Sequence, residues 1–312
     1  MLAEVSCITQ IKLHFDVEAI CNAYEKIKPI AKRLDVEAPV PRIAGFCYPH
    51  IASLGAKIVF PEDGEPKLFP IIKSPEEIDN LTEPKDYLNA PIIQERLRVC
   101  YEIKKRYPES PNFIGHLFEG PITTAVLIMG SGFLTLPYDD PEKAHKLLNF
   151  SVKSALNYAN TLCNYFGEPI QPGSKGLPDD FAGMFPPKIF KEFVAPYWEK
   201  IYQENKATER YLHSELLRLE HLPFLKELNI EEFDPSADQY LNPELLSKYC
   251  PCKFTSRILS WEIRDLSEDE LVKLYKERAK FKPSCISFYL GCLKDEPKIK
   301  CLLKIARELK EK

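Results

Sequence analysis

No uninterrupted apolar run in the 312 residues is long enough to cross a bilayer, and Met1 is not followed by the basic region and apolar core of a secretion signal. A cytoplasmic protein is expected. Charge of one sign is not in excess either: 42 Lys and Arg stand against 46 Asp and Glu, for a net charge of −4. That balance favours neither nucleic acid nor an anionic membrane surface as a partner. No Cys-x-x-Cys occurs, which leaves out a zinc ribbon and a thioredoxin-type motif, so the ten cysteines are expected as reduced thiols. Cys250-Pro251-Cys252 is the nearest approach to a motif, and it sits at a loop. No Gly-x-Gly-x-x-Gly turn follows the first candidate strand, which counts against a doubly wound dinucleotide-binding sheet.

What is present is a composition of 45% hydrophobic and 28% charged residues, that of a globular protein with ample core. Apolar positions at helical spacing run from 15 to 35, and a proline-rich passage follows to Arg42. Strands are expected at Ile43–Phe46, Ala56–Phe60, Ile230–Phe233, Lys253–Leu259 and Cys285–Leu290. Helices open at Ser74-Pro75-Glu76-Glu77, Pro91, Asp140-Pro141-Glu142 and Ser267, where Glu270 three residues on completes a capping box. Asn112–Ala125 reads as a buried strand turning into a helix at Gly120-Pro121, and Lys175–Phe181 as a loop with paired acids. Such alternation implies a parallel α/β sheet. At this length the expected fold is a single (β/α)8 TIM barrel over 41–312 behind a helical extension over 1–40, with an open sheet as the other arrangement.

The most chemical stretch is Tyr211-Leu212-His213-Ser214-Glu215-Leu216-Leu217, an apolar run after the polar break at Glu204–Arg210. On a strand His213 and Glu215 share a face. They are half of a metal site or, equally in keeping with the spacing, hydrogen-bonded structure.

Gly120-Pro121-Ile122-Thr123-Thr124-Ala125, then Gly130, Asp140-Pro141-Glu142, Asp179-Asp180 and Pro187-x-x-Phe190-x-x-Phe193-Val194-x-Pro196-Tyr197 follow one another as in the uroporphyrinogen decarboxylase superfamily, which the chain resembles over roughly 40–310. That resemblance implies the barrel. The decarboxylases carry an arginine-rich Arg-Gln-Ala-Gly-Arg signature for the many carboxylates of a tetrapyrrole. Here the region reads Arg42-Ile43-Ala44-Gly45-Phe46, with one arginine. Resemblance to the other branch, the zinc-dependent corrinoid methyltransferases, implies a metal at His213, at Glu215 in place of the family's cysteine, and at Cys292. It further implies Zn2+, a cobalamin carried by a corrinoid partner protein, and a small methylated substrate or thiol. Asp180, Asp234 and Glu119 are the expected catalytic acids, Asp179 and Asp238 are rim candidates, and His116 is expected in the core. The other readings are a decarboxylase-like lyase acting on another carboxylate substrate and a non-catalytic barrel that partners a corrinoid protein.

Overall fold

A computed structural model describes residues 1–238 and 240–310. The chain opens with helices α1 (Leu2–Ser6), α2 (Lys12–Phe15) and α3 (Val17–Leu34), the last begun by Asp16, whose carboxylate accepts from Ala19 N. Then come α4 (Pro49–Ser53), an antiparallel pair β1 (Lys57–Val59) and β2 (Lys67–Phe69), and α5 (Pro91–Arg106). Next are α6 (Pro121–Met129), α7 (Leu136–Asp139) and α8 (Pro141–Tyr165). The remainder alternates: β3 (Gly173–Pro178), α9 (Pro187–Phe193), α10 (Ala195–Glu204), β4 (Ala207–His213), α11 (Leu222–Glu227), β5 (Glu232–Asp234), α12 (Pro243–Tyr249), β6 (Lys253–Arg257), α13 (Ser260–Asp265), α14 (Glu268–Lys280), β7 (Cys285–Ser287) and α15 (Glu296–Lys310).

β3 to β7 form one parallel sheet in sequence order, the topology that a succession of βα units produces. Two extended segments carry the wall past β3 without regular ladders. Gly120 N donates to Pro178 O at 2.5 Å, and His116 N donates to Phe46 O at 2.9 Å. A side chain supplies what the ladder lacks. The guanidinium of Arg96, fully buried on α5, donates to Ile114 O and Ala44 O and lies 3.2 Å from His14 Nδ1. Burial and the Arg96 charge hold His14 down at about 4, so its ring is neutral and free to accept. Ala44 N donates in turn to Leu13 O, which joins α2 to this part of the wall. On the opposite flank Leu2 and Val5 of α1 pack in the same apolar cluster as Ile286 and Phe288.

The capping box of α14 forms as expected, with Ser267 and Glu270 bonded reciprocally. Three expectations need correction. The stretch expected as an acidic loop begins as β3, because pairing with β4 compensates a sequence poor in strand-forming side chains. The apolar run at 211–217 leaves the sheet at His213, and Leu216 takes φ +62°. Alternation therefore does not carry from His213 to Glu215. Ile43–Phe46 is extended but unpaired as a strand, for the reason just given. No helix among the described residues is long and apolar enough to cross a membrane.

The left-handed turn at Leu216 fits because Gly183 lies under it; a Cβ there would stand 2.4 Å from the Leu216 carbonyl carbon and oxygen. Gly183→Ala is expected to destabilise the fold by about 1–3 kcal/mol through overpacking. Gly176→Ala, whose Cβ would meet open space, should stay within about 0.5 kcal/mol. Urea-denaturation midpoints of the two variants measure the difference.

Candidate functional site

The C-terminal ends of successive wall segments deliver the chemistry: Glu119 follows the segment that ends at Phe118, Asp180 follows β3, His213 ends β4, Asp234 ends β5 and Arg257 ends β6. All of them line one cavity of about 750 Å³. This is the face on which α/β barrels assemble residues from separate strands.

Asp179 fixes the geometry. Wholly buried, its carboxylate accepts from Ile122 N (3.2 Å), Thr123 N (2.7 Å) and Trp198 Nε1 (2.7 Å). Its own N–H donates to His213 O and its carbonyl accepts from Ser214 Oγ. Asp179, a rim candidate by sequence, instead caps α6, its carboxylate accepting from Thr123 N fifty-six residues earlier. Gly120 makes room for it, since a Cβ there would fall 2.5 Å from Asp179 Cβ. With Asp179 turned inward, Asp180 is left facing the cavity.

His213 stands between two carboxylates. Its Nδ1 lies 2.8 Å from Asp234 Oδ2, and its Nε2 lies 3.4 Å from Asp180 Oδ1. Asp234 is bound further by Thr255 Oγ1 (2.7 Å), Ser236 N (3.0 Å) and Arg257 Nη2 (3.2 Å). Against the opposing effect of burial, the His213 bond and then those of Thr255 and Ser236 hold its carboxyl far below the usual carboxylate range. The Asp234 hydrogen bond, joined by the Asp180 charge, raises His213 above the ordinary imidazole value despite desolvation. Asp180 is itself raised by burial, with Glu215 and Asp234 adding repulsion, and its Oδ1 has no hydrogen-bond partner. Glu119 is buried, and desolvation, then the Asp180 and Asp179 charges, push it up to about 9. It holds its proton at neutral pH.

The three expected catalytic acids, Glu119, Asp180 and Asp234, thus share one cavity with His213. The three expected metal ligands do not combine. A 3-10 turn at Leu293–Asp295 follows Cys292 directly, and the Cys292 thiol donates to Glu4 Oε1 of α1 at 3.4 Å. Glu215 falls in the turn beyond β4. Among the described residues no group of three or more His, Cys, Asp or Glu side chains is arranged to hold a metal ion. The residues do not fit the implied zinc centre, and no step is assigned to it. His116, expected in the core, is exposed at the cavity because Gly115, at φ +146°, turns the segment under Phe46 O. Cys47, Thr255 and Arg257 also line the cavity and carried no sequence signal beyond their places at the ends of wall segments. Asp238 caps its own turn, accepting from Leu241 N at 3.0 Å.

The uroporphyrinogen decarboxylase (URO-D) family model matches residues 43–239. Uroporphyrinogen decarboxylases of two Prochlorococcus marinus strains, NATL1A and NATL2A, are each 32% identical over 68 residues, 21% of this chain. The matched stretch spans only 17% of the length of those relatives. Among solved structures, a methyltransferase from Methanosarcina mazei superposes with a TM-score of 0.72 at 13% identity, covering 99% of this chain and 90% of that one. At that identity the likeness is one of fold.

Two measurements test the site. Asp234→Asn replaces the carboxylate that raises His213 with a neutral amide, so the His213 titration followed by NMR should move to lower pH, with the acidity constant up about tenfold. Zinc content of the purified protein should be the same with and without Cys292→Ala. Loss of one zinc per chain on that change, and again on His213→Ala, would restore the three-ligand assignment.

Proposed function

The chain belongs to the uroporphyrinogen decarboxylase family, and from that premise we propose that it is a methyltransferase. The methyl group passes between a small methylated substrate or thiol in the cavity and the cobalt of a corrinoid carried by a partner protein. The observation that carries this reading is the cavity's charge inventory. Its arginine, Arg257, is already paired with Asp234, which leaves Lys175 as the other fixed cation of the lining, while Asp180 and Asp234 bring acidic groups to the same space and Glu119 stays neutral. A tetrapyrrole with many carboxylates needs an array of guanidinium partners and would meet repulsion here. A small neutral methyl donor, or a thiol, meets none. The fold shared with the Methanosarcina methyltransferase over nearly the whole chain supports the same branch.

When bound, the corrinoid supplies the centre that takes or gives the methyl group. The chain's own residues manage the proton on the substrate heteroatom. An oxygen or nitrogen that loses a methyl group must gain a proton, and Glu119 carries one at neutral pH. In the reverse sense a thiol acceptor must give up its proton, and Asp180, which lines the cavity beside His213, is the base. His213, held by Asp234 and raised in pKa, lies beside Asp180 and in its protonated form offsets the charge that then accumulates there. Displacement at a methyl carbon is in line, so holding the substrate against one wall carries much of the rate. A partner over the mouth is supported by exposed apolar side chains beyond successive strands: Met184 after β3, Leu219 after β4, Tyr240 after β5, Trp261 after β6 and Tyr289 after β7.

Methyl donors screened against reduced cobalamin, read by its colour change, test the activity. Turnover is expected below the Glu119 titration and lost as pH rises through about 9, because the acid is active only while protonated. Glu119→Gln should lower kcat about 10²-fold and remove that alkaline limb. Decarboxylation of a carboxylate substrate without methyl exchange for any donor would overturn the reading in favour of a lyase.

A further inference from the structure

Cys250-Pro251-Cys252 lies at the opposite end of β6 from the cavity, where α12 stops at Tyr249 and the strand begins at Lys253. The chain bends there, and proline fixes φ between the two cysteines. Their sulfurs are 3.6 Å apart, both half-buried. Beside them is a separate hollow of about 630 Å³, lined in part by Phe254, Phe281, Lys253 and Lys282, through which a small solute reaches the pair. Among the described residues the two sulfurs belong to no larger group of metal-ligating side chains.

We propose that Cys250 and Cys252 are a redox-active dithiol, oxidised by low-molecular-weight disulfides to an intramolecular disulfide. A disulfide bond is about 2.05 Å long, so the sulfurs need close by only about 1.5 Å, within the reach of side-chain rotation. Either sulfur can be the donor in the contact between them, so each thiol is placed to resolve a mixed disulfide on the other. One cysteine gives its proton to solvent, and its thiolate attacks one sulfur of the external disulfide, breaking its S–S bond and releasing one thiolate. That thiolate takes the proton of the second cysteine, which attacks the first cysteine's sulfur to form the new bond and release a second thiolate, which is protonated from solvent. Two electrons pass from the protein dithiol to the external disulfide, and no other reactant is needed.

Trypsin cleaves after Lys248 and Lys253, so both cysteines fall in one peptide, Tyr249–Lys253. The intact protein is equilibrated with reduced and oxidised glutathione, quenched with iodoacetamide and analysed by mass spectrometry. This peptide should lose two hydrogens and its alkylation before the other eight cysteines are modified, with no glutathione retained on it. Cys252→Ser should keep glutathione on Cys250, and Cys250→Ser should keep it on Cys252, because each lacks the sulfur that resolves the mixed disulfide. A wild-type peptide that alkylates at both cysteines while others oxidise, or that keeps a glutathione on each, overturns the proposal.

Discussion

One fully buried carboxylate organises the chemical end of this molecule. Asp179 joins four elements at once: the start of α6, the indole of Trp198 on α10, the last residue of β4 and the turn after it. A carboxyl out of water carries a large desolvation cost, which here lifts it to about 6. The donors around it keep it ionised at neutral pH and spend that charge on the positive end of a helix. Because it is committed inward, its neighbour Asp180 points outward, and the register of β3 against β4 sets Asp180 beside His213. Gly120 is the concession that makes this possible, since any side chain there would occupy the space of Asp179.

The cavity separates three carboxyl groups that sequence alone treats alike. Asp234, with hydroxyl, amide, guanidinium and imidazole donors, is a fixed anion. Glu119, buried with carboxylates as its charged neighbours, is a neutral acid. Asp180 lies between these extremes, with one oxygen unpartnered. Environments that drive chemically similar groups apart are how one site comes to contain both a proton donor and a proton acceptor.

Local signals held where local forces decide. Prolines at helix starts, the Ser267–Glu270 box and the Asp140 cap were all readable, since each is completed within one turn of chain. They failed where a distant partner decides. β3 contains two glycines, a serine, a lysine and a proline, and becomes a strand because β4 lies alongside it. The Tyr211–Leu217 run breaks at His213 because the next amide, Ser214 N, turns to Asp234 O and Leu216 folds over Gly183. Cys292 was expected among metal ligands by resemblance, but α1, remote in sequence, supplies Glu4 to its thiol.

The sequence by itself determined the alternation of helices and strands, the family order of its motifs and the presence of acids and a histidine just beyond strand-like runs. Periodicity, caps and motif spacing are properties of neighbouring residues, and they survive without coordinates. Only the tertiary structure decided which acid faces inward, which proton is held at neutral pH and which distant side chains meet. Those outcomes depend on burial and on partners tens of residues away, which no local pattern encodes.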